Sequence, residues 1–162
     1  MFPPDLLSLA DAVVSRARAR GLMLATAESC TGGLVAAALT SVAGSSAVLE
    51  QGVVTYSNAA KTRLLDVPEA LLETHGAVSR AVAESMATGA RSRAGVDVAV
   101  SVTGIAGPGG GSADKPVGLV HFGLAGPEGV RHVERHFAES DRQAIRMAAT
   151  WQALEMLRDA LS

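Results

Sequence analysis

At 162 residues, 48% of them apolar, the chain is sized for one domain with a substantial core, filled mainly by Ala, Val and Leu because aromatics are only 3%. A formal charge of −2 with no basic block argues against nucleic-acid binding, and the one cysteine, Cys30, rules out an internal disulfide and suits a reducing cytoplasm. The apolar runs are too short and too often broken by Gly or charge to span a bilayer, and Asp5 and Asp11 interrupt any signal-peptide pattern.

Pro3-Pro4-Asp5 opens a first helix whose stripe runs through Leu6, Leu9, Val13 and Ala17 and whose stop is Gly21. Strand one is read over 22–27, a helix from Thr31 to Ser41, and strand two over 50–56. A short helix follows over 58–65, and Pro68 opens a helical turn over 69–73. His75-Gly76-Ala77-Val78 reads as a loop, and Ser79 as the N-cap of a long helix over 80–94 that Gly95 ends. Strand three, 97–102, is nearly continuous apolar sequence, as expected of a buried central strand. A glycine-rich loop, 103–112, precedes strand four (117–124), and Gly126-Pro127-Glu128-Gly129 turns into an antiparallel strand five (130–137). Ser140 or Asp141 caps a last helix that reaches Ala160. These elements predict an α/β fold, a single domain over 1–162, built as a three-layer α/β/α sandwich on a mixed, about five-stranded sheet.

The chemistry-bearing residues collect where strands become helices, the edge at which open α/β sheets bind ligands. Thr31-Gly32-Gly33 lets backbone N–H groups approach a ligand at a helix start, a setting that suits phosphate, although a plain turn capped by Ser29 or Thr31 accounts for it equally. Lys61 falls in the first turn of its helix, where a cation opposes the dipole; that placement, with partial burial, lowers its pKa and fits it to serve as a base. Tyr56, the sole tyrosine, ends strand two and is placed to relay a proton. With Ser46, in the turn Gly44-Ser45-Ser46, these residues suggest Ser-Lys acyl transfer, which needs no histidine. Cys30, at a helix start, is a weaker candidate nucleophile. His132, Glu134 and His136 share a strand face but show no third ligand of metal spacing. Asp114 and Lys115 are expected to close the glycine loop as an ion pair. Arg142 is a second cation at a helix start, a natural partner for phosphate, with Arg146 one turn further on.

Taken together, several blocks resemble the CinA C-terminal domain family, the nicotinamide mononucleotide deamidases. They are Ala27-Glu28-Ser29-Cys30-Thr31-Gly32-Gly33, Gly44-Ser45-Ser46, Val54-Thr55-Tyr56-Ser57-Asn58 with Lys61, His75-Gly76-Ala77-Val78-Ser79, Ser101-Val102-Thr103-Gly104-Ile105-Ala106-Gly107-Pro108, Gly110-Gly111-Ser112 and Lys115-Pro116-Val117-Gly118. The resemblance implies hydrolysis of nicotinamide mononucleotide to nicotinic acid mononucleotide and ammonia, with no cofactor and no metal. It implies Ser46 as nucleophile, with Ser29 as the competing choice, and Tyr56 and Lys61 as activating partners. Ser29, Thr31, Gly32, Gly33, Thr103, Gly104 and Arg142 are expected to line the nucleotide site. It further implies a cytoplasmic homo-oligomer, dimer or higher. The family's usual glycine before Asp-Arg is Ser140 here. An N-terminal domain with pyrophosphatase activity, carried by some members, has no room in this chain. The competing functional readings are a nucleotide-binding or competence- and DNA-damage-associated interaction module without catalysis, and an amidohydrolase for another amide.

Overall fold

The computed structural model describes residues 2–138 and 141–162. The elements run α1 (Pro4–Arg20), β1 (Leu24–Glu28), α2 (Leu34–Thr40), a 3-10 turn (Ser45–Ala47), β2 (Leu49–Val54), α3 (Asn58–Leu65), α4 (Glu69–His75), α5 (Arg80–Ala94), β3 (Val98–Gly104), β4 (Leu119–Gly126), β5 (Gly129–His136) and α6 (Arg142–Ala160). The bounds of α3 and α5 match the sequence reading because their caps are local. Ser57 accepts the Ala60 N–H and Ser79 the Val82 N–H. Asp141 caps α6 through the Ala144 N–H; Ser140, the other expected cap, lies outside the described residues. α2 begins three residues later than expected. Gly32 and Gly33 have φ of 60° and 98°, so Thr31-Gly32-Gly33 forms a turn before the helix.

The sheet order is β2-β1-β3-β4-β5, with β1 parallel to β2 and β3, and β3-β4-β5 antiparallel. This is the expected mixed five-stranded sheet. α1, α2 and α6 cover one face, over a core that includes Leu6, Val13, Val35, Val100, Phe122, Ile145 and Leu154. α3, α4 and α5 cover the other, over Ala27, Leu65, Val82, Met86 and Ala99. Each fully buried Val, Leu or Ile contributes roughly 1.5–3 kcal/mol of apolar transfer free energy. Small residues bring the layers close: a Cβ at Gly89 of α5 would overlap the Leu65 carbonyl oxygen at the end of α3.

This topology sets the site. The chain leaves β1 through α2 to reach β2 on one side, then crosses by way of α3–α5 to β3 on the other. The crevice outside the C-terminal ends of β1 and β3 is therefore a topological switch point. Ser29 follows β1 there, and Gly104 ends β3.

Candidate active site

A cleft of about 250 Å³ opens at this switch point, lined by Ser29, Cys30, Tyr56, the Gly104–Gly107 segment, Gly109, Gly110 and Arg142. Beneath it lies Lys61, 2% exposed and among the largest fully buried side chains. Its Nζ donates to the Thr55 carbonyl (2.9 Å) and to Ser29 Oγ (3.1 Å). Among the described residues it forms no ion pair with a carboxylate. Burial lowers its pKa below 10.5. The expected lowering is present, and burial, one of the two causes expected, supplies it. Lys61 is the fourth residue of α3 and donates its own N–H to Ser57 O; desolvation of the amine opposes the proton.

The structure corrects the place given to Ser46. It sits in the 3-10 turn before β2, whereas Tyr56 and Lys61 follow that strand. β1 and β2 run parallel, with Leu24 opposite Leu49 and Glu28 opposite Val54. Ser46 and Ser29 are thus at opposite sheet edges, roughly 17 Å or more apart at about 3.3 Å per strand residue. Around Ser46 the neighbouring charge is Arg18, which donates to the Gly44 carbonyl at 2.9 Å. No base reaches that turn from α3. Ser29 is the serine that Lys61 touches.

Tyr56 is brought to the cleft but not to Lys61. It is 61% exposed, and its hydroxyl accepts from Arg142 Nη2 at 2.8 Å. Arg142 Nη1 donates to the Gly107 carbonyl at 2.6 Å, so its guanidinium bridges the tyrosine and the glycine loop.

Three further expectations are corrected. Thr31-Gly32-Gly33 offers no free cradle for an anion. The buried Glu28 carboxylate already accepts the Gly33 (3.0 Å), Val35 (3.1 Å) and Ala36 (2.9 Å) N–H groups, and the Gly32 N–H goes to Ser29 O. Thr31 itself is fully buried. Thr103 is 1% exposed and its hydroxyl donates to Ala77 O, tying β3 to the loop before α5 instead of facing the cleft. Lys115 does not pair with Asp114. It donates to His75 O, while Ser112 closes the loop through the Lys115 N–H. Gly104, Ser29 and Arg142 do line the cleft.

Cys30 is 5% exposed, and burial pushes its thiol pKa up to about 12, so it stays protonated. On the distant edge ribbon, His121 Nδ1 and His132 Nε2 are 2.9 Å apart and Glu134 meets His136 at 2.7 Å. Here β5 supplies His121 with the acidic neighbour its local sequence lacks, 3.9 Å away. Among the described residues no three His, Cys, Asp or Glu side chains are arranged to hold a metal ion, and no helix is long and apolar enough to cross a membrane.

Sequence reasoning missed Glu28, although a signal was present: an acid ending an apolar strand directly before a Gly-Gly turn into a helix is placed to cap that helix. It also missed the use made of Arg146. Its Nε and Nη2 donate to the carbonyls of Cys30 and Thr31, each at 3.0 Å.

Fold and site together define an α/β sandwich with a buried lysine set on a serine hydroxyl at its switch point. The CinA C-terminal domain model matches residues 6–161, and the chain belongs to that family. A CinA-like protein of Anaeromyxobacter dehalogenans strain 2CP-C is 56% identical over 94% of this chain, and one of Synechococcus strain RCC307 is 53% identical over 97%. The chain spans only 37–38% of the length of these two relatives. The crystal structure of the competence/damage inducible protein CihA from Agrobacterium tumefaciens superposes with a TM-score of 0.96 at 52% identity, covering 99% of this chain and 98% of that one. A CinA superfamily protein from Escherichia coli superposes at 0.90 with 36% identity, over 97% of this chain and 92% of that one.

Proposed function

We propose that the chain hydrolyses the carboxamide of nicotinamide mononucleotide, with Ser29 as the nucleophile and neutral Lys61 as its base. One observation carries this reading. Among the described residues, an amine buried without a carboxylate partner lies 3.1 Å from a serine hydroxyl that lines the cleft. A buried amine opposes protonation, and a neutral amine within hydrogen-bond reach of a hydroxyl is what general-base activation of serine requires.

In this scheme Lys61 Nζ takes the Ser29 proton as Oγ attacks the carboxamide carbon. The tetrahedral oxyanion is met by N–H groups of the Gly104–Gly110 loop. That loop lines the cleft, and the N–H groups of Ala106, Gly107, Gly109 and Gly110 have no backbone acceptor among the described residues. The Gly32 and Gly33 N–H groups are already taken. The protonated Lys61 then gives its proton to the departing nitrogen, and ammonia leaves an ester on Ser29. Water attacks that ester with Lys61 again as base, releasing the nucleotide acid and restoring the hydroxyl. Arg142 exchanges its contacts with Gly107 O and Tyr56 Oη for the substrate phosphate, an ion pair stronger than its bonds to these uncharged acceptors. Tyr56, exposed at the rim, offers its ring to the pyridine.

The test is ammonia release from nicotinamide mononucleotide, with the acid product identified by chromatography, compared with free nicotinamide and the dinucleotide. Turnover of the mononucleotide that vanishes in Ser29→Ala supports the reading. Binding of the mononucleotide without any ammonia release would instead favour the non-catalytic module.

A further inference from the structure

We infer that Glu28 and Arg146 are a pair of positioning residues that hold the Ser29–Gly33 turn from opposite sides and thereby set Ser29 Oγ on the Lys61 amine. The inference rests on the Ser29 reading above and deepens it.

Glu28 is the last residue of β1 and is 1% exposed. Its Oε2 accepts the Gly33 and Val35 N–H groups, and its Oε1 accepts the Ala36 N–H. A buried carboxylate is costly unless it is paired or hydrogen-bonded, and here the start of α2 supplies the donors. The pairing also directs this charge into α2, and among the described residues the hydrogen-bond partners of Lys61 Nζ are neutral, Ser29 Oγ and Thr55 O. A carboxylate turned toward the amine would favour its protonated form.

Arg146 acts on the other polarity of the same turn. From α6 its Nε donates to Cys30 O and its Nη2 to Thr31 O, and Nη1 is held by Gln143 Oε1 at 2.8 Å. The planar fork spans two successive carbonyls, which a lysine ammonium does not reproduce. Glycine at position 32 admits the guanidinium, since a Cβ there would lie 3.2 Å from Nη2. On the strand side the Ser29 N–H donates to Val102 O at 2.9 Å. The turn is therefore fixed at its Gly33 N–H by Glu28, which also holds the Val35 and Ala36 N–H groups of α2, through its Cys30 and Thr31 carbonyls by Arg146, and at Ser29 by β3. Neither clamp residue lines the cleft or touches Lys61, so each acts through the position of Ser29. Arg142, four residues earlier on α6, is by contrast exposed at the cleft.

The experiment compares wild type, Arg146→Gln and Glu28→Gln in two assays. The first is the steady-state deamidation of nicotinamide mononucleotide. The second is the rate at which diisopropyl fluorophosphate, which needs no nucleotide site, labels Ser29, read by mass spectrometry. Variants whose circular dichroism matches wild type are expected to lose about 100-fold in kcat with KM changed less than threefold, the scale of a ~1 Å misplacement of a reacting group. The labelling rate should fall by a similar factor. If Arg146→Gln does not fold, Arg146→Lys, which keeps charge but serves one carbonyl, carries the test with a loss of about 10-fold in both. Folded variants with wild-type labelling rates and kcat would overturn the clamp while leaving the Ser29 reading intact. Wild-type protein that takes no label at Ser29 would sink that reading, and the clamp with it.

Discussion

Two serines in glycine turns, Ser29 and Ser46, flank the same parallel strand pair, yet only one is placed for chemistry. Ser29 leaves the C-terminal end of β1, where the chain also delivers Lys61, Tyr56, the glycine loop and Arg142. Ser46 enters the N-terminal end of β2, beside Arg18 and at the end of that strand away from Lys61. Their local sequences are alike: small residues, a glycine and a helical turn. The difference lies in strand direction. In parallel sheets every strand end of one polarity gathers at one edge, so a hydroxyl acquires partners by lying after a strand and not before it.

Deleting each hydroxyl in turn separates the two sheet edges most clearly. Ser29→Ala should lower ammonia release from nicotinamide mononucleotide by about 10⁴-fold or more, the scale of losing a covalent nucleophile. Ser46→Ala should stay within about twofold; equal losses would remove the distinction between the two edges.

Next in size is Lys61→Met, expected to lower kcat by about 10²–10⁴-fold, the contribution typical of a general base. The pH dependence sharpens this. Burial holds the folded pKa of Lys61 below 10.5. kcat should therefore rise with pH as the amine loses its proton and level off before 10.5. Stability has the same sign. Between the lowered folded pKa and the unfolded value of 10.5, the unfolded chain binds the extra proton, so this group's contribution to stability rises with pH across that window. Thermal melts across pH should show this slope in wild type and lose it in Lys61→Met. A variant with the wild-type slope would mean that the amine is charged in the folded protein.

Arg142→Ala is expected to raise KM for the mononucleotide by roughly 10–100-fold, as a charge-assisted contact of about 1.5–3 kcal/mol is lost, and to change KM for the phosphate-free riboside much less. Equal effects on both would detach Arg142 from the phosphate. A similarly small effect is expected of Cys30→Ala. Because the thiol is held protonated up to about 12, turnover should remain within about threefold, measured in the same ammonia assay.

Much of the fold was legible because its punctuation is local. Ser57, Ser79 and Gly95 fix helix ends through neighbouring backbone groups, and α3 and α5 fall where the sequence places them. The sheet edge that gathers the cleft-lining turns was legible for the same reason, including the glycine loop after β3. The partners within the site were less so. Ser46 is nearer than Ser29 to Tyr56 in sequence, but a six-residue strand intervenes, and its length carries Ser46 to the far edge. The order of strand and turn already contained that fact. Lys61 stood out as a misplaced cation, but its burial, which sets the direction of its pKa, depends on packing that α3 acquires only against the sheet and α5. The contacts of Arg146 were hidden for a related reason: they go to backbone carbonyls of a turn whose shape no side-chain motif records, whereas Glu28 left a local signal as the acid before Gly32-Gly33.

By this mechanism Ser29, and not Ser46 or Cys30, becomes acylated. Mixing the protein with nicotinamide mononucleotide, quenching in acid within one turnover and sequencing the 21–61 tryptic peptide by fragmentation tests it directly, since that single peptide contains all three residues. The expected result is the mass of the nucleotide acyl group on Ser29, and its absence from the corresponding 21–63 peptide of Lys61→Met, where cleavage moves to Arg63. An acyl group on Ser46 or Cys30 would contradict it.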